Sequence, residues 1–128
     1  MRFEGNKTHR GSYSPFDRLA ERYDDWFEDD GRLIFSTEVK AFYTLLPMLP
    51  EPWLEIGVGS GRFAKALGIR LGIDPSGKLL EMAKQRGIDV ILARGEDGVF
   101  RNETLGTVFM IVTICFLDNL FLTVVATA

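Results

Sequence analysis

The sequence predicts an α/β fold built on a parallel sheet, and two observations point to it. After Pro52, short apolar runs alternate with short helical ones, the signature of βαβ units. In the first unit, Leu54-Glu55-Ile56-Gly57-Val58-Gly59-Ser60-Gly61 places glycines where a buried strand turns into a helix. One core is expected, since 128 residues make a single domain of ordinary size.

Residues 1–13 are polar and aperiodic and are expected to form a flexible arm, with one domain over 14–128. Ser14-Pro15-Phe16-Asp17 reads as a helix start: a hydroxyl N-cap, proline at the first helical position, and a carboxylate that can reach back to the cap amide. Phe16, Leu19, Ala20, Tyr23 and Phe27 then recur at helical spacing, and Gly31 is a natural stop. A second helical pattern, Val39, Phe42, Tyr43 and Leu46, ends at Pro47, Pro50 and Pro52. Beyond it, strands are predicted at 53–56, 70–73, 89–93 and 107–116, with helices at 61–67 and 76–86 between them.

The composition, 46% apolar and 26% charged with a net charge of -3, is that of a globular protein. It gives no electrostatic reason to expect nucleic acid or an anionic membrane as partner, because both call for concentrated Lys and Arg. Cys115 is the single cysteine, which excludes an internal disulfide framework; with no basic-then-apolar leader, a reducing, cytoplasmic setting is expected. The apolar stretch 105–128 is interrupted by Asp118 and Asn119, short of the roughly 20 residues that span a bilayer. Asp24, Asp25, Glu28, Asp29 and Asp30 read as a solvated helix end, since no second ligand group accompanies them, and no metal is expected. His9 reads as a surface residue of the arm.

The glycine run carries the chemistry. One glycine permits the tight turn, the next lets a ligand lie against bare backbone, and the helix N-terminus beyond offers free amides. Nicotinamide and flavin enzymes use such a loop at the same place. Their G-x-G-x-x-G pattern starting at Gly57 needs a glycine where this chain has Arg62. Glu55, just before the first glycine, suits a cationic cofactor better than a pyrophosphate. The next strand ends in Gly72-Ile73-Asp74-Pro75-Ser76. A carboxylate at Asp74 can accept both ribose hydroxyls of an adenosine lying across the strand ends, or can cap the following helix, a task Ser76 can also perform.

These residues resemble the class I S-adenosylmethionine (SAM)-dependent methyltransferases, more closely the small-molecule, methyltransferase type 11-like enzymes with a Glu-x-Gly-x-Gly-x-Gly first motif. The resemblance runs over about 16–119. It implies a Rossmann-like parallel sheet of strand order 3-2-1-4, incomplete here, with helices on both faces and an N-terminal helical cap. It further implies that Glu55, Gly57, Val58 and Gly59 line the methionine portion of SAM, that Asp74 holds the ribose and that Pro75 packs near the adenine. Gly95-Glu96 matches the third motif, with Glu96, or Asp97 in its place, accepting from the adenine amino group. Tyr23 is the aromatic candidate for capping the cofactor, or is a core residue. Thr113 and Cys115 end the fourth strand, where family members face the transferred methyl group, or simply finish a buried strand.

Two departures bear on this. Members usually carry Leu-Pro-Phe after the third-motif acid and Phe-Asp at the start of the fourth strand, where this chain has Gly98-Val99-Phe100 and Leu105-Gly106; both places are expected to lose stiffness. The family's sheet has seven strands, whereas this sequence stops soon after the fourth. The cofactor-binding half alone is therefore expected, with a small-molecule acceptor held by elements absent here. The fourth strand is expected at the sheet edge, with self-association through it and the apolar tail 120–128; that tail can instead fold back to cover the strand, though it is too short to replace the three missing strands and their helices. Methyl transfer is displacement at an activated carbon, so the work is positioning, and no catalytic triad is implied. The alternatives are a non-catalytic remnant of such an enzyme and a nicotinamide-binding oxidoreductase module, the latter disfavoured by Arg62 and Glu55.

Overall fold

The computed structural model describes residues 16–94, 104–113 and 121–127. The elements follow in the order α1 (Phe16–Trp26), α2 (Arg32–Tyr43), a 3-10 turn (Leu46–Met48), β1 (Trp53–Ile56), α3 (Arg62–Leu67), β2 (Leu71–Asp74), α4 (Gly77–Gln85), β3 (Asp89–Leu92), β4 (Thr107–Thr113) and β5 (Phe121–Thr127). Ser14, with the rest of the arm, lies outside the described residues. No described helix is long and apolar enough to cross a membrane.

The sheet runs β3-β2-β1-β4-β5. β1 pairs in parallel with β2 and with β4, and β2 with β3. The parallel part thus has the expected order 3-2-1-4. The expectation of β4 as the sheet edge is corrected: β5 lies antiparallel on it from Thr107 opposite Thr127 to Thr113 opposite Phe121. An apolar strand cannot leave its amides and carbonyls unpaired at low cost, and the uncharged run that follows supplies their partners.

Register puts Glu55 between Gly72 and Phe109 on one face of the sheet. All four helices feed the core on that face. Phe63 of α3 is its centre, with the rings of Phe27, Phe35 and Phe42 set at steep angles 6.1, 4.8 and 6.4 Å away, centroid to centroid. Phe42 and Trp53 in turn meet Phe109 of β4. Edge-to-face contacts of this kind add about 0.5–1.5 kcal/mol each beyond area burial, so the α1 and α2 segments are tied to the sheet through one aromatic cluster. The opposite face carries Leu54, Ile73 and Met110; the helices expected on that face as well are not found among the described residues.

Three local features stand out. Gly31 ends the α1 turn without positive φ; glycine is needed because a Cβ there would stand 2.3 Å from the Trp26 ring. Trp26, off the apolar stripe of α1, is half-buried and packs edge-on against Phe27. At Gly106 the expected loss of stiffness is not found. Its N–H donates to Pro52 at 2.9 Å, and a Cβ would stand 2.4 Å from the Pro50 carbonyl oxygen, so only glycine lets β4 start this close. Thr107 completes the anchor by donating its hydroxyl to Pro50 at 2.7 Å.

Candidate functional site

At the C-terminal end of β1 the chain turns through Gly57, Gly59 and Gly61, all with positive φ. The turn is laid onto β2: the N–H groups of Gly57 and Val58 donate to the Ile73 carbonyl at 2.9 and 3.0 Å. Gly72 makes this approach possible, because a Cβ there would fall 2.5 Å from the Val58 side chain. Above the turn opens a small cleft lined by Tyr23, Glu55, Gly57, Val58, Arg62 and Ile111 among others. It stands at the carboxyl ends of parallel strands, where open α/β sheets place their ligands.

Glu55 forms the floor. Its side chain is only 2% exposed, and Oε1 has no hydrogen-bond partner. Burial pushes its carboxyl well above the ordinary carboxylate range, and the neighbouring Asp74 adds to the rise. Arg62 lines the same cleft, yet its guanidinium is committed to Asp24 and Glu28. A buried carboxyl left without a partner in a cleft is a receptor for a cation.

Asp74 closes β2 and organises the loop. One oxygen accepts from the Gly59 amide at 3.0 Å and the other from the Ser76 amide at 2.8 Å. These amides lower its pKa, but burial outweighs them and the carboxyl is raised, with Asp17 adding repulsion. The cap on α4 belongs to Ser76, whose hydroxyl accepts from the Leu79 amide at 3.3 Å. Ser76 donates that hydroxyl to Asp17 of α1 at 2.5 Å, which joins the cap helix to the end of β2.

The family model of the methyltransferase domain matches residues 54–125, more than half the chain. The chain belongs to the class I SAM-dependent methyltransferases. An uncharacterised Mycobacterium tuberculosis protein is 43% identical to this methyltransferase domain over 113 residues, 88% of the chain and 40% of that protein. An uncharacterised Methanocaldococcus jannaschii protein is 40% identical over 104 residues, 81% of the chain and 49% of that protein. Among solved structures, a Thermotoga maritima SAM-dependent methyltransferase, possible histamine N-methyltransferase, matches with a TM-score of 0.69 and 37% identity, over 81% of the chain and 49% of that structure. The domain thus spans about half the length of the relatives it matches.

Of the site residues that the sequence suggested, the methyltransferase domain brings Tyr23, Glu55, Gly57 and Val58 together around the cleft. Gly59 and Asp74 lie just behind it, joined by their hydrogen bond. The Tyr23 ring covers Gly59, 3.6 Å from where a Cβ would stand, and meets Phe27 edge-on; it is thus at once cleft wall and core. Pro75 is exposed at the β2–α4 turn. The Thr113 backbone ends β4 opposite Phe121, with its side chain outside the described residues, as are Glu96, Asp97 and Cys115.

Sequence reasoning missed Asp24. Grouped with a solvated acidic end, it is instead buried and held by Arg62 and Arg86. Asp25, Glu28, Asp29 and Asp30 are exposed as expected, and no metal-ligand cluster occurs among the described residues. The missed signal was periodicity, since Asp24 falls on the same helical stripe as Ala20 and Phe27. Arg86 also donates to the Ser60 carbonyl at 2.8 Å, so this network bolts the cap helix to the glycine loop.

Proposed function

We propose that the chain is the SAM-binding half of a cytoplasmic methyltransferase acting on a small-molecule acceptor. The observation that carries this reading is the buried Glu55 carboxyl, with Oε1 unpartnered, at the floor of a cleft beside the glycine turn. SAM fits there, because it brings a sulfonium and an ammonium, the countercharge that this carboxyl lacks, and no phosphate. When bound, SAM supplies a methyl group already activated for displacement. Glu55 answers its positive charge. Asp74 holds the Gly59 amide so that bare backbone faces the methionine portion, and its remaining lone pairs are available to the ribose hydroxyls. Tyr23 closes the cleft from the α1 side and excludes water. The Thermotoga maritima neighbour is a possible histamine N-methyltransferase, and histamine is a small amine, which supports a small-molecule acceptor.

A second reading, cofactor binding without turnover by these 128 residues alone, is favoured by the share of each relative that the chain covers. Calorimetry with SAM, S-adenosylhomocysteine and NAD, followed by a radiolabelled-methyl assay on a panel of small amines, tests both. Binding of SAM and not NAD supports the function. Tight NAD binding with no response to SAM overturns it, and SAM binding without transfer selects the second reading.

A further inference from the structure

We propose that Glu55 is a proton-coupled cation receptor: it carries a proton while the cleft is free and releases it as the cationic cofactor enters. The proposal rests on the SAM-binding reading above and goes beyond it by making cofactor binding pH-linked.

The geometry argues for it from every side. Within β1 the carboxyl is 2% exposed, with Oε1 unpartnered. Packed about the cleft are Val58, Phe63 and Ile111, none of which can solvate a negative charge. From β2 the facing charged group is Asp74, another buried acid, whose two oxygens already hold the Gly59 and Ser76 amides. From α3 comes Arg62, spent on Asp24 and Glu28; from α4 comes Arg86, spent on Asp24 and the Ser60 carbonyl. From α1, Asp24 is bound by those two arginines, and Tyr23 contributes a ring. Facing Glu55, the described residues offer a second carboxylate and cations already engaged elsewhere, so the neutral acid is the form that suits the free cleft. Burial and the Asp74 charge raise its pKa accordingly. An entering ammonium or sulfonium supplies the missing countercharge. The carboxyl O–H then breaks, the carboxylate stays against the cation, and the proton passes to buffer.

The test titrates SAM into the 128-residue chain near neutral pH in phosphate and in Tris, whose ionisation enthalpies differ. The heat is expected to shift between buffers as proton release on binding requires, and Glu55→Gln, which mimics the protonated acid, is expected to remove that shift. Buffer-independent heat with SAM bound, or an undiminished shift in E55Q, overturns the proposal while leaving the SAM reading standing. Failure of SAM to bind overturns the SAM reading instead, and a ligand-free measurement then decides the proton. A native acid with a raised pKa keeps a proton that the unfolded chain has lost, so stability falls as pH rises above the ordinary glutamate value. Wild-type Tm is therefore expected to drop relative to E55Q as pH rises above the ordinary glutamate value. Parallel Tm profiles overturn the proposal whether or not SAM binds.

Discussion

Arg62 grips Asp24 with two nitrogens, Nε to Oδ1 at 2.7 Å and Nη2 to Oδ2 at 3.0 Å, and Arg86 adds a contact to Oδ2 at 2.9 Å. The side chains are 13–22% exposed, so water screens the cluster only partly. Removing one member of such a pair strands the others. Asp24→Asn is expected to cost about 2–3 kcal/mol in urea unfolding at pH 7, at the low end for a buried pair because of that residual exposure. Burial pushes the Asp24 carboxyl up, but hydrogen bonds from Arg62, Ser60 and Arg86 and the charge of Arg86 outweigh it and hold the group down at about 2 against an ordinary 3.8. A depressed acid stabilises the fold above its unfolded pKa, and the gain is lost as pH falls through the folded one. The stability gap between wild type and D24N is therefore expected to close between 3.8 and about 2. A gap that persists through that window would sever the pairing from stability.

How much of this was legible in the sequence depended on the distance over which each cause acts. The strands and helices after Pro52 lie within a few residues of their predicted places, because apolar runs, proline breaks and glycine turns are local. Asp24 was not legible: its partners stand 38 and 62 residues away, and a run of acids reads as solvated until the arginines are seen. The carboxylate before Gly57 was visible as a cation preference, but its unpartnered oxygen depends on which neighbours Arg62 chooses. Gly106 was misjudged because its rigidity comes from Pro50 and Pro52, across the β1–β4 junction. The direction of β5 was hidden for another reason: an apolar run has no period that says which way it pairs.

Two glycines of the loop separate folding from binding. Gly61 at φ +85 has the Cβ of Ala83 2.9 Å from where its own would stand, so Gly61→Ala adds a clash to backbone strain. Gly57 at φ +75 faces open space, so Gly57→Ala adds strain alone. Denaturant unfolding is expected to show a loss of about 1 kcal/mol for G57A and about 3 kcal/mol for G61A. Calorimetry is expected to reverse the order of importance for G57A, whose methyl projects into the cleft and should weaken SAM by tenfold or more. Equal unfolding costs would show that α4 yields to the added methyl.

Asp74→Asn keeps the shape of the side chain but turns one oxygen into a donor, facing it toward the Gly59 or the Ser76 amide. Either choice loses a hydrogen bond to a charged group and leaves the loop less fixed. SAM binding is expected to weaken by about 1.5–3 kcal/mol. The fold should loosen too, because the Gly59 contact exists without ligand. Unchanged affinity in calorimetry would remove Asp74 from the cofactor site and leave it only as the loop's anchor.

The last expectation concerns β5. It pairs with β4 on one side and ends the described sheet on the other. Its sequence, Phe-Leu-Thr-Val-Val-Ala-Thr, contains no charge and no proline, the usual means by which an edge is blunted. The outward amides and carbonyls of such a strand template a second copy of themselves, and we predict self-association of the 128-residue chain through β5–β5 pairing. Sedimentation velocity over a concentration series is expected to show a shift from monomer to dimer or larger. Neighbouring residues in an antiparallel strand point their amides to opposite sides, so of Val124→Pro and Val125→Pro one should break the β4 ladder and the other only the outer edge. The edge-breaking variant is expected to stay monomeric with an unchanged Tm at low concentration, while its partner loses stability. A wild-type chain that remains monomeric across the series would show that β5 is covered by other parts of the chain, and the edge would then have no role in assembly.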